Sequence, residues 1–294
     1  MSFIHELACD CHVHVIGPRE RYRMLERRPY TPAEADLHAL RQHMGRLSLG
    51  RAVIVQPSVY GTDNGCLIDC LDAVPGKFRG VVVLDRDVTD EQLAAMTVKG
   101  VIGLRINLQS TGGGNMTQTI DAIRYWASRL AGTGWHIQIY AGYQVINDVL
   151  AQLGVLPITL VIDHFGLITP GLALDQLRAS QLYRRLASGD VYIKLSGAYR
   201  VGAAGDADRI SGLAHALLAA NLERAVWASD WPHTNRQPGK LATQISAYRD
   251  VSPDLLARER LQWLLTDDIA YKVLVENPAR LYRFGCMTDP GKNG

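Results

Sequence analysis

Residues Ala8-Cys9-Asp10-Cys11-His12-Val13-His14 form an apolar, β-prone run carrying two histidines two positions apart. Side chains of a strand alternate between its faces. The run therefore predicts Asp10, His12 and His14 on one face, with Cys9 and Cys11 on the other. Two imidazoles side by side are either hydrogen-bonded interior histidines or half of a site, and the rest of the chain decides which. After Gly17-Pro18 comes an arginine-rich polar stretch, 19–32. Helical periodicity follows over 33–49, with Thr31 placed to cap that helix and Pro32 suited to its first turn.

The same strand-then-helix pattern recurs to the end of the chain. Short apolar strands are predicted at 51–56, 80–85, 100–107, 135–141, 159–164, 191–196 and 224–230. Helical patterns follow each of them, over 64–74, 90–97, 117–131, 144–153, 173–187 and 206–221, with 239–281 mostly helical. Eight alternations imply parallel βαβ units, and eight such units close a barrel. The expected fold is α/β, a single TIM (β/α)8 barrel domain over residues 1–294, in keeping with the ~250 residues usual for this architecture. A dinucleotide-binding sheet fits less well. No GxGxxG follows an early strand, and Gly112-Gly113-Gly114 lies in a loop without a neighbouring phosphate-loop lysine.

Hydrophobic residues make up 47% and charged residues 20%, a balance that supports a sizeable core. Thirty-one basic and 29 acidic residues leave a net charge of +2, which gives no general field for nucleic acid or a membrane surface. No run approaches the ~20 apolar residues that span a bilayer, and the first residues lack a basic segment followed by an apolar one. Five cysteines is an odd count. Cys66 and Cys70 sit one helical turn apart and Cys286 is alone, so neither a disulfide framework nor a zinc knuckle is indicated. These features predict a cytoplasmic protein with reduced thiols that acts on a small molecule; homo-oligomerisation is left open.

In such a barrel the chemistry sits at the C-terminal ends of the strands. Those ends carry His12 and His14, then Ser58, Arg105 with Asn107, Tyr140, His164, Arg200, and finally Asp230 with His233. Ionisable groups gathered from distant positions to one barrel mouth are the expected composition of a catalytic site.

The resemblance is carried by four motifs: His12-Val13-His14, Asp163-His164-Phe165-Gly166, Ser229-Asp230-Trp231-Pro232-His233 and the terminal Asn277-Pro278-Ala279-Arg280-Leu281-Tyr282. Together they resemble the amidohydrolase superfamily (amidohydrolase-related family 2), from Cys9 to about Phe284, on the branch that contains the 2-pyrone-4,6-dicarboxylate lactonases. The resemblance implies a hydrolase that opens a carboxylated lactone in the breakdown of aromatic compounds or sugar acids. Asp230 would be the base that activates water, its pKa lifted by partial burial. His12, His14 and His164 would polarise the carbonyl and stabilise the oxyanion. Arg105 and Arg200 would hold a substrate carboxylate, with Tyr140, Ser58, Tyr30 and His233 as further substrate contacts. One departure stands out. The second arginine of the lactonase pattern, expected shortly after the strand-four arginine, is missing from Asn107-Leu108-Gln109-Ser110-Thr111, so a second substrate carboxylate loses its expected partner.

An HxH pair with a late aspartate is also a metal pattern, in which His12, His14 and Asp230 would hold one divalent cation, zinc or manganese. Two features weigh against it. Strand four offers Arg105 instead of a bridging lysine or glutamate, and strand five offers Tyr140 instead of a histidine. His136 would lie about 13 Å lower in the barrel at ~3.3 Å per residue. The sequence therefore favours metal-independent hydrolysis without a cofactor. A metal-dependent decarboxylase or hydratase, or a lactone isomerase, remains the alternative. A non-catalytic binding protein has no need of an aspartate set against three histidines.

Overall fold

The opening run becomes β1 (Cys9–Val13), the first of eight parallel strands in a computed structural model that describes residues 6–109 and 115–285. The others are β2 (Arg51–Val55), β3 (Phe78–Val82), β4 (Val101–Asn107), β5 (His136–Tyr140), β6 (Thr159–Ile162), β7 (Val191–Ser196) and β8 (Ala225–Ala228). Each pairs in parallel with its successor in the chain. The ring closes where the Asp230 N–H donates to the His12 carbonyl at 3.1 Å and the His14 N–H donates to the Trp231 carbonyl at 2.8 Å. Strands buried on both faces need near-continuous apolar sequence, and the barrel strands supply it with runs such as Ala52-Val53-Ile54-Val55. Every strand but β5 turns one side into a cluster inside the barrel, with Val53, Val55, Val161 and Val226, while β5 sets the polar His136 and Gln138 against interior groups. The other side joins the larger layer under the helices.

The alternation predicted for β1 is corrected by its register. Asp10 pairs with Ala52 and Val13 with Ile54, so three steps on β1 match two on β2 and one residue is extra. Such a bulge resets which way side chains point. Cys9 and Cys11 consequently share the barrel interior with His12. Asp10 turns outward, with its Oδ2 3.9 Å from His43 Nε2, and its Oδ1 accepts the Ser229 N–H at 2.9 Å.

Other boundaries move for local reasons. Ile16 and Ala35 exchange two backbone hydrogen bonds of 2.8 Å, which keeps the chain extended through residue 35. The first helix, α1 (Leu37–Arg46), therefore starts later than predicted and is capped by Asp36, whose side chain accepts from the Ala39 N–H at 2.8 Å. Thr31 and Pro32, expected at the helix start, instead pair in parallel with Ile245 and Ser246. The helix expected over 173–187 breaks at Ser180 into Leu174–Ala179 and Gln181–Ala187. Residues Gly112 to Gly114 and Cys286 lie outside the described residues. Among the described residues no helix is long and apolar enough to cross a membrane.

Candidate active site

The bulge in β1 is what turns His12 into the barrel. Its Nδ1 lies 3.2 Å from Asp163 Oδ1, and its Nε2 lies 3.3 Å from His14 Nε2. His14 Nδ1 is 2.7 Å from the Val55 carbonyl. A carbonyl only accepts, so Nδ1 carries the hydrogen and the neutral ring presents a bare Nε2. His164 follows β6 in a turn with φ +48°, its Nδ1 2.9 Å from Ser196 Oγ.

Asp230 follows β8, also in the left-handed region at φ +63°, a strained conformation for a residue with a side chain. Its Oδ2 accepts the Tyr199 hydroxyl at 2.7 Å and the Arg200 Nε–H. Its Oδ1 is buried with no hydrogen-bond donor among the described residues. That oxygen lies 3.9 Å from the Nε2 atoms of His12 and His14 and 4.0 Å from that of His164.

Burial sets the protonation of this cluster. It lowers His14 to about 3, with Arg105 adding to the effect, and His164 to about 4 against the pull of Asp230. His12 is held well below the usual imidazole range, chiefly by burial and partly by Lys194. Burial alone would raise the Asp230 carboxyl, but Arg200, His164 and His12 outweigh it and hold the group well below the carboxylate range. The expected upward shift of Asp230 is thereby corrected, because the guanidinium in contact outweighs desolvation. At neutral pH the centre is an ionised carboxylate facing neutral imidazoles.

Below it, Lys194 is fully buried on β7. Its Nζ donates to Gln138 Oε1 at 2.6 Å and lies 3.3 Å from both Asp163 Oδ1 and His12 Nδ1. Two hydrogen placements satisfy His12. Either Nδ1–H donates to Asp163 and Nε2 is bare, or Lys194 donates to Nδ1 and Nε2–H points at His14.

The first placement is a donor set for a cation. Two nitrogens ~2.05 Å from zinc at the tetrahedral angle stand about 3.3 Å apart, which matches the 3.3 Å between His12 Nε2 and His14 Nε2. With the unpartnered Asp230 Oδ1, these atoms group within 4.8 Å of one another. The residues present thus fit a divalent ion, which the sequence disfavoured.

Above this centre opens a cavity of about 310 Å³, and His14, Tyr30, Ser58, Arg105, Tyr140 and Arg200 all line it. Arg105 is 6% exposed; its guanidinium packs 5.3 Å from the Tyr140 ring centre, donates to the Gln56 carbonyl at 3.3 Å and lies 3.7 Å from Asp163. His233 is placed differently. It sits behind Asp230 against Tyr199, 3.4 Å from that hydroxyl, and is not among the residues lining the cavity. His136 is lower in the barrel, edge-on to Tyr282.

Tyr199, Lys194, Gln138 and Ser196 were missed as members of the cluster, and Asp163 had been read only as part of a motif. A lone lysine in the apolar run Val191-Tyr192-Ile193-Lys194-Leu195-Ser196 was the available signal, since a charge there needs interior partners. Arg236 and Arg249, which also line the cavity, carried no such signal.

Known proteins are similar to this chain over nearly its full length. The chain is 31% identical to 4-sulfomuconolactone hydrolase of Rhizobium radiobacter, over 94% of this chain and 89% of that protein. It is 30% identical to 2-pyrone-4,6-dicarboxylate hydrolase of Comamonas testosteroni, over 94% and 90% respectively. A solved Pseudomonas putida structure, described as a candidate 2-pyrone-4,6-dicarboxylic acid hydrolase, superposes with a TM-score of 0.75 at 30% identity, covering 95% of this chain and 98% of that one. The model of the amidohydrolase family matches residues 9–284, which contain every strand of the barrel and every residue of the cluster. The chain belongs to the amidohydrolase family.

Proposed function

We propose that this protein hydrolyses a lactone carrying an acidic group, in the breakdown of aromatic compounds or sugar acids. The observation that carries the reading is the buried Asp230 Oδ1, which accepts no hydrogen bond among the described residues and faces the bare Nε2 of His14. Two acceptors side by side hold a water by its two hydrogens and turn its lone pairs toward the cavity. The lactone is oriented there by Arg105 and Arg200, which grip its acidic group as planar donors. Tyr140, Ser58 and Tyr30 line the same cavity.

Water oxygen then bonds to the lactone carbonyl carbon while its proton passes to Asp230. The oxyanion is met by the Nε2–H of His164 in the tautomer whose Nδ1, 2.9 Å from Ser196 Oγ, accepts the serine hydroxyl. Collapse breaks the ring C–O bond, and Asp230 returns the proton to the departing oxygen. The product is a carboxylic acid and a hydroxyl on one opened chain, and the acid ionises at neutral pH with release of one proton. His14 accepts rather than donates in this scheme, because its only N–H is committed to Val55. Relatives named for sulfonated and dicarboxylated lactones support the substrate class.

His12, His14 and Asp230 are the residues that would hold a divalent cation, which when bound polarises the carbonyl and acidifies water. The experiment is incubation of purified protein with lactones bearing one or two acidic groups, following acid release, with metal analysis and activity after chelation. One equivalent of acid per lactone supports the reading. Carbon dioxide release would indicate decarboxylation, and ring rearrangement without acid release would indicate an isomerase; either result overturns it. Full activity in chelated, metal-free protein would assign the chemistry to these side chains alone.

A further inference from the structure

We infer that Arg236 and Arg249, on the segment after β8, form a second anion subsite that takes a second acidic group on the substrate. The inference rests on the acidic-lactone reading and deepens it. Both residues line the same cavity as Arg105 and Arg200, and among the described residues no aspartate or glutamate lines it.

The charges of the four arginines are spent differently. Arg200 is paired with Asp230, and Arg105 faces Asp163, which is shared with Lys194. Arg236 and Arg249 have no carboxylate partner among the described residues. The cavity therefore holds two positive charges that no carboxylate among the described residues balances; both side chains are exposed, so their pull on an anion is screened by salt.

The fold anchors Arg249 and the base of the segment that carries Arg236. The Arg249 N–H donates to the His233 carbonyl at 2.9 Å, which closes the base of the segment that also carries Arg236. The Arg249 guanidinium packs 5.0 Å over the Tyr199 ring, and that ring's hydroxyl is bonded to Asp230. Arg249 thus stands one side chain away from the reacting carboxylate. The last residue of β4 and the segment after it contribute the neutral Asn107 and Gln109 to the same cavity. The second cation absent from that segment is supplied here from the β8 side. A substrate with two acidic groups would place one on Arg105 and the other on Arg236 and Arg249.

The test is isothermal titration with two unreactive probes, isophthalate (two carboxylates) and benzoate (one), at low and high salt. Wild type and Arg236→Met/Arg249→Met are compared, with hydrolysis of mono- and diacidic lactones alongside. Wild type should bind isophthalate at least about tenfold tighter than benzoate, with a gap that narrows in salt. The double variant should bring the two affinities within about threefold of each other and raise KM for the diacidic lactone more than it lowers kcat. A gap that survives the double substitution, or is absent from wild type, overturns the subsite. Because binding is read without turnover, a wild-type gap that the double variant closes, with no hydrolysis of any lactone, refutes the lactonase reading alone.

Discussion

Replacing Asp230 with asparagine tests the catalytic reading directly, because the structure dictates how the amide will sit. Its oxygen must take the Oδ2 position, where Tyr199 and Arg200 donate; the opposite flip would set NH2 against two donors. The NH2 then faces the bare Nε2 of His14 across the 3.9 Å that Oδ1 keeps from it, so no donor is turned against it. The geometry survives while the acceptor for the water proton is gone. General-base catalysis contributes typically 10²–10⁴-fold, so turnover should fall by about that factor, equivalent to roughly 3–5 kcal/mol of barrier. The Arg200 side chain is 17% exposed and loses its counter-charge. Breaking a buried pair costs about 3–5 kcal/mol, and the retained bond to Thr234 and residual solvation place this variant near ~3 kcal/mol. Continuous acid-release assays with thermal unfolding on the same sample measure both quantities. Hydrolysis above a tenth of wild type in a folded variant would refute Asp230 as the base.

Arg200→Gln leaves burial of Asp230 unopposed by its strongest neighbouring charge, so the carboxyl rises and the acid limb of kcat/KM moves to higher pH; a limb that stays put would remove Arg200 as its cause. Burial lowers His14, His43 and His136 to about 3 and His164 and His233 to about 4. Groups depressed in the folded state stabilise it fully above the unfolded imidazole value of ~6.5 and lose that contribution as pH falls toward the folded values. Asp10, raised to about 6, and Glu259, raised to about 7, act in the opposite sense but are fewer. Tm should therefore drop steadily between about pH 6.5 and 4, and a flat Tm down to about pH 5 would contradict this burial pattern. Lys194→Met should cost about 3–5 kcal/mol by uncompensating Asp163 and commit the His12 hydrogen to Nδ1; denaturation curves and the ring ¹⁵N shifts of His12 check the two effects.

The barrel was legible because eight apolar strands alternating with helices leave few other ways to bury both sheet faces. The site was legible to the extent that it is built from strand ends: His12, His14, His164 and Asp230 converge, and Tyr30, Ser58, Arg105, Tyr140 and Arg200 line one cavity with His14. What failed depends on direction rather than position. A single extra residue in β1 turned Asp10 outward and put Cys11 beside His12, and periodicity carries no trace of such a bulge. The pKa of Asp230 was misjudged because burial was visible in its apolar strand while the contacts of Arg200 and Tyr199 were not. Thr31 and Pro32 read as a helix start because their partners lie more than 200 residues further along the chain.

That pairing has a consequence for how such proteins diversify. Thr31–Pro32 and Ile245–Ser246 stitch the segments after β1 and β8 together, reinforced by the Thr31 hydroxyl on the Ala242 carbonyl and the Tyr248 hydroxyl on the Ala33 carbonyl. Tyr30 adjoins one side of the seam, and the segment between Arg236 and Arg249 contains the other. Each segment is shaped by the other, so a graft of one alone should keep its geometry only where it preserves this pairing. Redesign of selectivity at this barrel mouth should therefore treat the two loops as one element.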